Sequence, residues 1–212
     1  MMVVYRLRLK DRRKNTLSCE ELFGLPKSGK TTLLASLTKK GYRTVPVGAH
    51  TSIHMLFYFL LYSVKHPFST GYLFWKMNTN RIREVALGLR ERSLVLRMRN
   101  SYLAAALSKS EQLRSGDKPI IDEFLLQSLF MIIQIKSRRE VLEKIMKYLP
   151  RSENILLVEA PKRLREQRLL RVKTPARALN QEYKARWIEN SEYNYAIVRD
   201  ILLTRYTRKK LA

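Results

Sequence analysis

A chain of 212 residues, 45% of them apolar, is long enough for one domain with a real core, which argues against wholesale disorder. The single cysteine, Cys19, excludes an intramolecular disulfide framework and a cysteine-rich zinc site, and His50, His54 and His66 lack metal-binding companions. Forty-two Lys and Arg against 18 Asp and Glu leave a net charge of +24, which favours anionic ligands: a nucleotide, a nucleic acid or an anionic lipid surface.

At the start of the chain, Val3, Tyr5, Leu7 and Leu9 alternate with Val4, Arg6, Arg8 and Lys10. This period of two predicts a basic arm or edge strand over residues 1–16, ahead of a main domain over 17–212. The basic start is not followed by the apolar run and small-residue cleavage site of a secretory signal, so a cytoplasmic location is expected. Leu17 to Leu25 contains a short strand, although Glu20 and Glu21 are poor residues for a central buried one.

Gly24-Leu25-Pro26-Lys27-Ser28-Gly29-Lys30-Thr31 matches the phosphate-binding pattern G-x-x-x-x-G-K-[ST] without a mismatch. The glycine-rich turn lets consecutive backbone N–H groups face phosphates, and Gly29 lets the backbone come close. Lys30 can reach the β- and γ-phosphates, and the Thr31 hydroxyl can ligate Mg²⁺. Lys27, Ser28 and Thr32 complete the expected nucleotide contacts. A helix over 31–40 should follow, with Leu33, Leu34 and Leu37 on its apolar side and Gly41 as its C-terminal cap. Strand, loop, helix is the order the motif requires.

Thr44 to Gly48 reads as a second strand, and His50 follows where a loop would open beside a ligand. Ile53 to Val64 is nearly continuous apolar sequence, short of the roughly 18 to 20 residues needed to cross a bilayer. It predicts a buried helix, with an interfacial membrane helix or a partner surface as the minority reading. Tyr72, Phe74 and Trp75 read as packing residues. A long helical region covers 81–106, broken near Gly88, with Leu87, Glu91, Leu94, Met98 and Tyr102 at helical spacing. Arg81, Arg83, Arg90, Arg92, Arg97 and Arg99 occupy its other faces; a solvated surface is the plain reading for each, and an acceptor contact the sharper one.

Pro119 to Glu123 is a short apolar run ending in Asp122 and Glu123, followed by the apolar stretch 124–135. A carboxylate at a strand's carboxyl end, across from a phosphate loop, can hold Mg²⁺ or orient and deprotonate an acceptor hydroxyl. Asp122 is the lead candidate, with Glu123 behind it. A helix is expected over 138–147 with Val141, Leu142, Ile145 and Met146 inward, then a strand over 155–159. Lys162, Arg163, Arg165, Arg168 and Arg171 put five cations within ten residues, where they repel unless anions neutralise them. A lid over about 162–180 that brings Arg165, Arg168 or Arg171 onto a transferring phosphoryl group has this composition. A short helix over 181–189 and a terminal helix over 191–208 should end the chain, with Trp187 in the core.

The run Glu21 to Leu33, the Asp122-Glu123 pair, and the strand 155–159 with its arginine-rich sequel resemble, in this order, the landmarks of P-loop nucleoside and nucleotide kinases of the thymidylate-kinase-like group. The resemblance spans residues 17–171. It implies an α/β fold with a parallel sheet flanked by helices and a basic lid, and phosphoryl transfer from ATP with Mg²⁺ to a small acceptor, a nucleoside or nucleotide first. Gly48-Ala49-His50-Thr51 stands where such kinases carry an acidic or arginine-bearing acceptor motif. Asn194 to Val198 is the candidate for their adenine-contacting strand. A nucleic-acid-associated P-loop ATPase is the alternative favoured by the charge, and a nucleotide-binding protein with little turnover is a further one. Apolar faces within 53–64 or 124–135 could pair two subunits, and no transmembrane segment is expected.

Overall fold

The central strands of this protein are buried on both faces, and that decides how the layers stack. The computed structural model describes residues 2–10, 16–46, 53–81, 88–113, 119–122, 124–165 and 181–211. Among these, the strands are β1 (Val3–Leu9), β2 (Thr16–Phe23), β3 (Thr44–Pro46), β4 (Ile120–Asp122), β5 (Arg151–Glu159) and β6 (Tyr206–Leu211). The helices are α1 (Lys30–Lys39), α2 (Ile53–Lys65), α3 (Pro67–Thr79), α4 (Leu89–Gln112), α5 (Leu125–Ile132), α6 (Arg139–Tyr148) and α7 (Gln181–Arg205). Leu22, Ile120, Leu156 and Val158 pack on one sheet face with Leu33, Leu34 and Leu37 of α1. Alternate residues, among them Phe23, Ile121, Ile155 and Leu157, join α5, α6 and α7 in the main core on the other.

The sheet order is β3-β4-β2-β5-β1-β6. β3, β4, β2 and β5 run parallel, but β1 is antiparallel to both β5 and β6. The expected parallel sheet is therefore a mixed one. The reason lies in β1, whose alternation buries Leu7 and Leu9 and leaves Arg6 and Arg8 in solvent, as an antiparallel strand near a sheet edge can. The chain leaves β2 toward β3 and β4 on one side and returns to β5 on the other, so β2 is a topological switch point.

Further expectations are corrected. Residues 181–205 form one continuous helix where two were expected, and 206–211 form a strand in place of the end of the last helix. Asn194 to Val198 is thus helical, and the place beside β5 is taken by β1. Helix α2 exists, but of its residues only Tyr62 is buried. Trp75 is exposed on α3, and α4 leaves Leu94 and Met98 exposed while burying Leu103, Ala106 and Leu107. By contrast α5 is buried almost throughout, and Trp187 packs on the core with its indole N–H donating to the Phe130 carbonyl.

Glu20 and Glu21 do lie in a central buried strand, and each is compensated. Arg6 forms an ion pair with Glu20. Glu21 accepts from the Leu126 N–H at 2.5 Å and from the Ser152 hydroxyl at 2.9 Å. Its carboxylate therefore sits at the start of α5, where unpaired N–H groups favour negative charge. Burial nonetheless pushes its carboxyl up to about 7, with those hydrogen bonds pulling the other way.

Candidate functional site

The phosphate-binding sequence forms the turn between the carboxyl end of β2 and the start of α1. That is the crevice at the switch point, where ligands of open α/β sheets bind. Two residues of the turn are left-handed: Lys27 with φ 62° and Gly29 with φ 107°. Gly29 caps the ten-residue helix α1, so the positive end of the helix opens directly from the loop. Gly24 is fixed by space: a Cβ there would lie 2.4 Å from the Val158 carbonyl oxygen and 2.9 Å from the Ser28 hydroxyl. Lys30 is buried, and its ammonium donates to the carbonyls of Gly24 at 2.8 Å and Leu25 at 3.2 Å. The lysine is thus folded against the mouth of its own loop. Lys27, Thr31 and Thr32 are exposed around it.

Asp122 ends β4, on the rung that pairs it with Leu22, two residues before Gly24. The carboxylate and the loop thus leave the same end of two adjacent parallel strands. Glu123, His50, Arg168 and Arg171 lie outside the described residues. Arg165 ends a helical turn over 162–165 and is buried. Its guanidinium donates to Glu192 at 2.8 Å and to the Ala160 carbonyl at 3.3 Å, so its charge is engaged with α7. Lys162 adds a longer contact, 3.9 Å, to the same Glu192.

A cavity of about 520 Å³ opens between the loop, the end of β5 and α7, lined by Leu25, Ser28, Glu159, Arg165, Glu192 and Tyr195 among others. The Ser28 and Tyr195 hydroxyls, both buried, have no hydrogen-bond partner among the described residues. Burial raises the Tyr195 hydroxyl well above its ordinary value, so it stays a neutral donor. Tyr195, Glu192 and Glu159 were not legible as site residues. Glu192 and Tyr195 are three apart on one helix, a spacing that also describes any core-facing pair.

The arginines of α4 sort differently from the sequence expectation. Arg92 and Arg97 are exposed, while Arg99 is buried and donates to the carbonyls of Met131 at 2.7 Å, Ile132 at 3.2 Å and Met77 at 2.5 Å. It satisfies the orphan carbonyls at the end of α5 and ties α3 to α4. Burial lowers its guanidinium to about 10. Among the described residues no cluster of three His, Cys, Asp or Glu is placed to hold a metal ion. Magnesium beside a phosphate loop needs no such cluster, since one or two carboxylates and substrate phosphates hold it.

The described residues form an α/β protein with a mixed six-stranded sheet and a glycine-bounded loop at its switch point. Comparison with protein-family models, with curated proteins and with solved structures found no match to this chain.

Proposed function

We propose that this protein transfers a phosphoryl group from ATP to a small acceptor, a nucleoside or nucleotide before other hydroxyl compounds. The observation that carries the reading is the loop at residues 24–31. It has the phosphate-binding sequence, left-handed geometry at Lys27 and Gly29, a Gly24 that admits no side chain, and a buried Lys30 turned into its mouth. Those features fit a polyphosphate. ATP with Mg²⁺, when bound, supplies the electrophilic phosphorus. The loop N–H groups and the α1 terminus hold its phosphate oxygens, and Lys30 exchanges two carbonyls for phosphate. Thr31 is the hydroxyl ligand for Mg²⁺, with Asp122 as the carboxylate that holds it or takes the acceptor proton. Arg168 and Arg171, with Arg165 once it exchanges Glu192 for phosphate, supply positive charge as negative charge spreads over the transferring group. The cavity beside the loop, about 520 Å³, is of a size that accepts part of a nucleotide.

The test is transfer of labelled γ-phosphate, with Mg²⁺, to a panel of nucleosides, nucleotides and sugars. Label on a small acceptor, lost in Lys30→Ala, is the expected result. No transfer to any member of the panel would end the kinase reading. Arg168→Ala should lower turnover far more than ATP affinity; equal losses would remove its transition-state role.

One observation favours a second reading, a nucleic-acid-associated ATPase. The basic ends of the chain, distant in sequence, pair as the β1–β6 ribbon, with Arg6 opposite Lys209 and Tyr5 opposite Lys210. Arg208 lies 3.6 Å over the Tyr5 ring. Free phosphate that rises only when DNA or RNA is added, and falls steeply with salt, would select this reading.

A further inference from the structure

Helix α2 is built inside out. Its inward side presents Tyr62, Phe59 and other half-buried residues, while Ile53, Leu56, Phe57, Leu60 and Val64 face away from the core. These five recur at spacings of three and four, which places them on one stripe about 16 Å long. All are more than half exposed, and Ile53 and Val64 more than three-quarters. The exposure continues on α3, where Phe68 and Trp75, seven residues and so two turns apart, also stand in solvent. A run of large apolar side chains on this scale marks an interaction surface.

Charge decides what covers it. Residues 22–83 contain no Asp or Glu, and their charged residues are lysines and arginines alone. At the end of the stripe Lys65 is paired with Glu111 of α4, while Arg81 follows α3 and the Lys76 ammonium lies 4.4 Å over the Trp75 ring. A second copy docking here by two-fold symmetry would set this carboxylate-free segment against its own image, on a chain carrying +24. A surface rich in negative charge and apolar beneath it satisfies both features. No described helix is long and apolar enough to cross a membrane.

We propose that α2 and α3 form a peripheral docking face for an anionic lipid bilayer. The α2 stripe lies in the plane of the headgroups with its aliphatic and aromatic side chains in the acyl boundary. Trp75 sits at the headgroup level with Lys76 beside it to meet the lipid phosphates. The proposal is independent of the phosphotransfer reading and survives its failure.

The experiment uses the full chain with vesicles of phosphatidylcholine alone and of phosphatidylcholine with phosphatidylglycerol. Cosedimentation should occur with the anionic vesicles, weaken with salt, and be accompanied by a blue shift of tryptophan emission that Trp75→Phe removes. Phe57→Ser with Leu60→Ser, or Phe68→Ser, should lower vesicle affinity roughly tenfold or more while the circular dichroism spectrum stays unchanged. All three positions are exposed, so the fold does not depend on them. Equal binding to neutral vesicles would overturn the charge argument. Binding that persists in the serine variants would overturn the assignment of the face. A dimer in sedimentation equilibrium that these variants dissociate, with no vesicle binding, would give the face to a second copy and overturn the proposal.

Discussion

Replacing Glu21 by Gln should make the protein more stable at neutral pH, although Glu21 accepts hydrogen bonds from the α5 terminus and from Ser152. Its folded-state carboxyl titrates near 7 against an ordinary value of 4.5. The folded state therefore holds a proton that the unfolded state has released, across the window from 4.5 to 7. Stability linked to this group is fully present below 4.5 and is lost as pH rises through 7. At about 1.4 kcal/mol for each tenfold change in acid strength, the loss is on the order of 3 kcal/mol. Glutamine keeps one oxygen for the Leu126 N–H, and its amide can donate to the Ser152 oxygen, so it reproduces the protonated form without titrating. Urea unfolding followed by circular dichroism, at pH 4 and pH 8 in both proteins, reads the effect. The stability difference, variant minus wild type, should grow by on the order of 3 kcal/mol between the two pH values. Other groups titrate in both proteins and cancel. A difference that is the same at both pH values, or that shrinks toward pH 8, would refute the assignment of Glu21 as a buried acid held at a cost.

Four other outcomes follow from the site and its supports. Lys30→Ala should weaken ATP binding roughly 100-fold in calorimetry, the loss of charged hydrogen bonds to two phosphates, and an unchanged affinity would detach Lys30 from the nucleotide. Gly24→Ala, which forces a Cβ against the Val158 carbonyl, should cost about 1–3 kcal/mol in urea unfolding and abolish nucleotide binding; unaltered binding would mean the loop shifts freely. Arg99→Met should destabilise by about 3 kcal/mol, because it orphans buried carbonyls at the ends of α3 and α5. If turnover falls in that variant with stability unchanged, Arg99 serves the acceptor after all. Arg165→Ala should reduce turnover more than ATP affinity, and equal reductions would leave it a structural partner of Glu192.

The sequence by itself determined several local elements, though not the single helix 181–205 or the strand 206–211. The glycines and lysine of residues 24–31 specify a turn whose geometry few other residues allow, and the loop is left-handed at Gly29 as that demands. The contiguous run Ile155 to Val158 marks a strand buried on both faces, and the alternation of Val3 to Lys10 marks one with a wet side. That alternation reads as an arm or edge strand, whereas the fold pairs β1 on both sides, antiparallel to β5 and β6. Tertiary structure alone decided which apolar residues are inside. The α2 sequence is apolar almost all round, so periodicity cannot choose the buried side, and packing turns Tyr62 in and Leu60 out. Only the fold joins the two basic termini into one ribbon, or brings Ser28, Arg165 and Tyr195 to one cavity from three elements. It also turns Glu21, an unsuitable residue by composition, into the acceptor that α5 requires. Spacing along a chain reports neighbours within an element, while a site assembled across elements is written in the contacts between them.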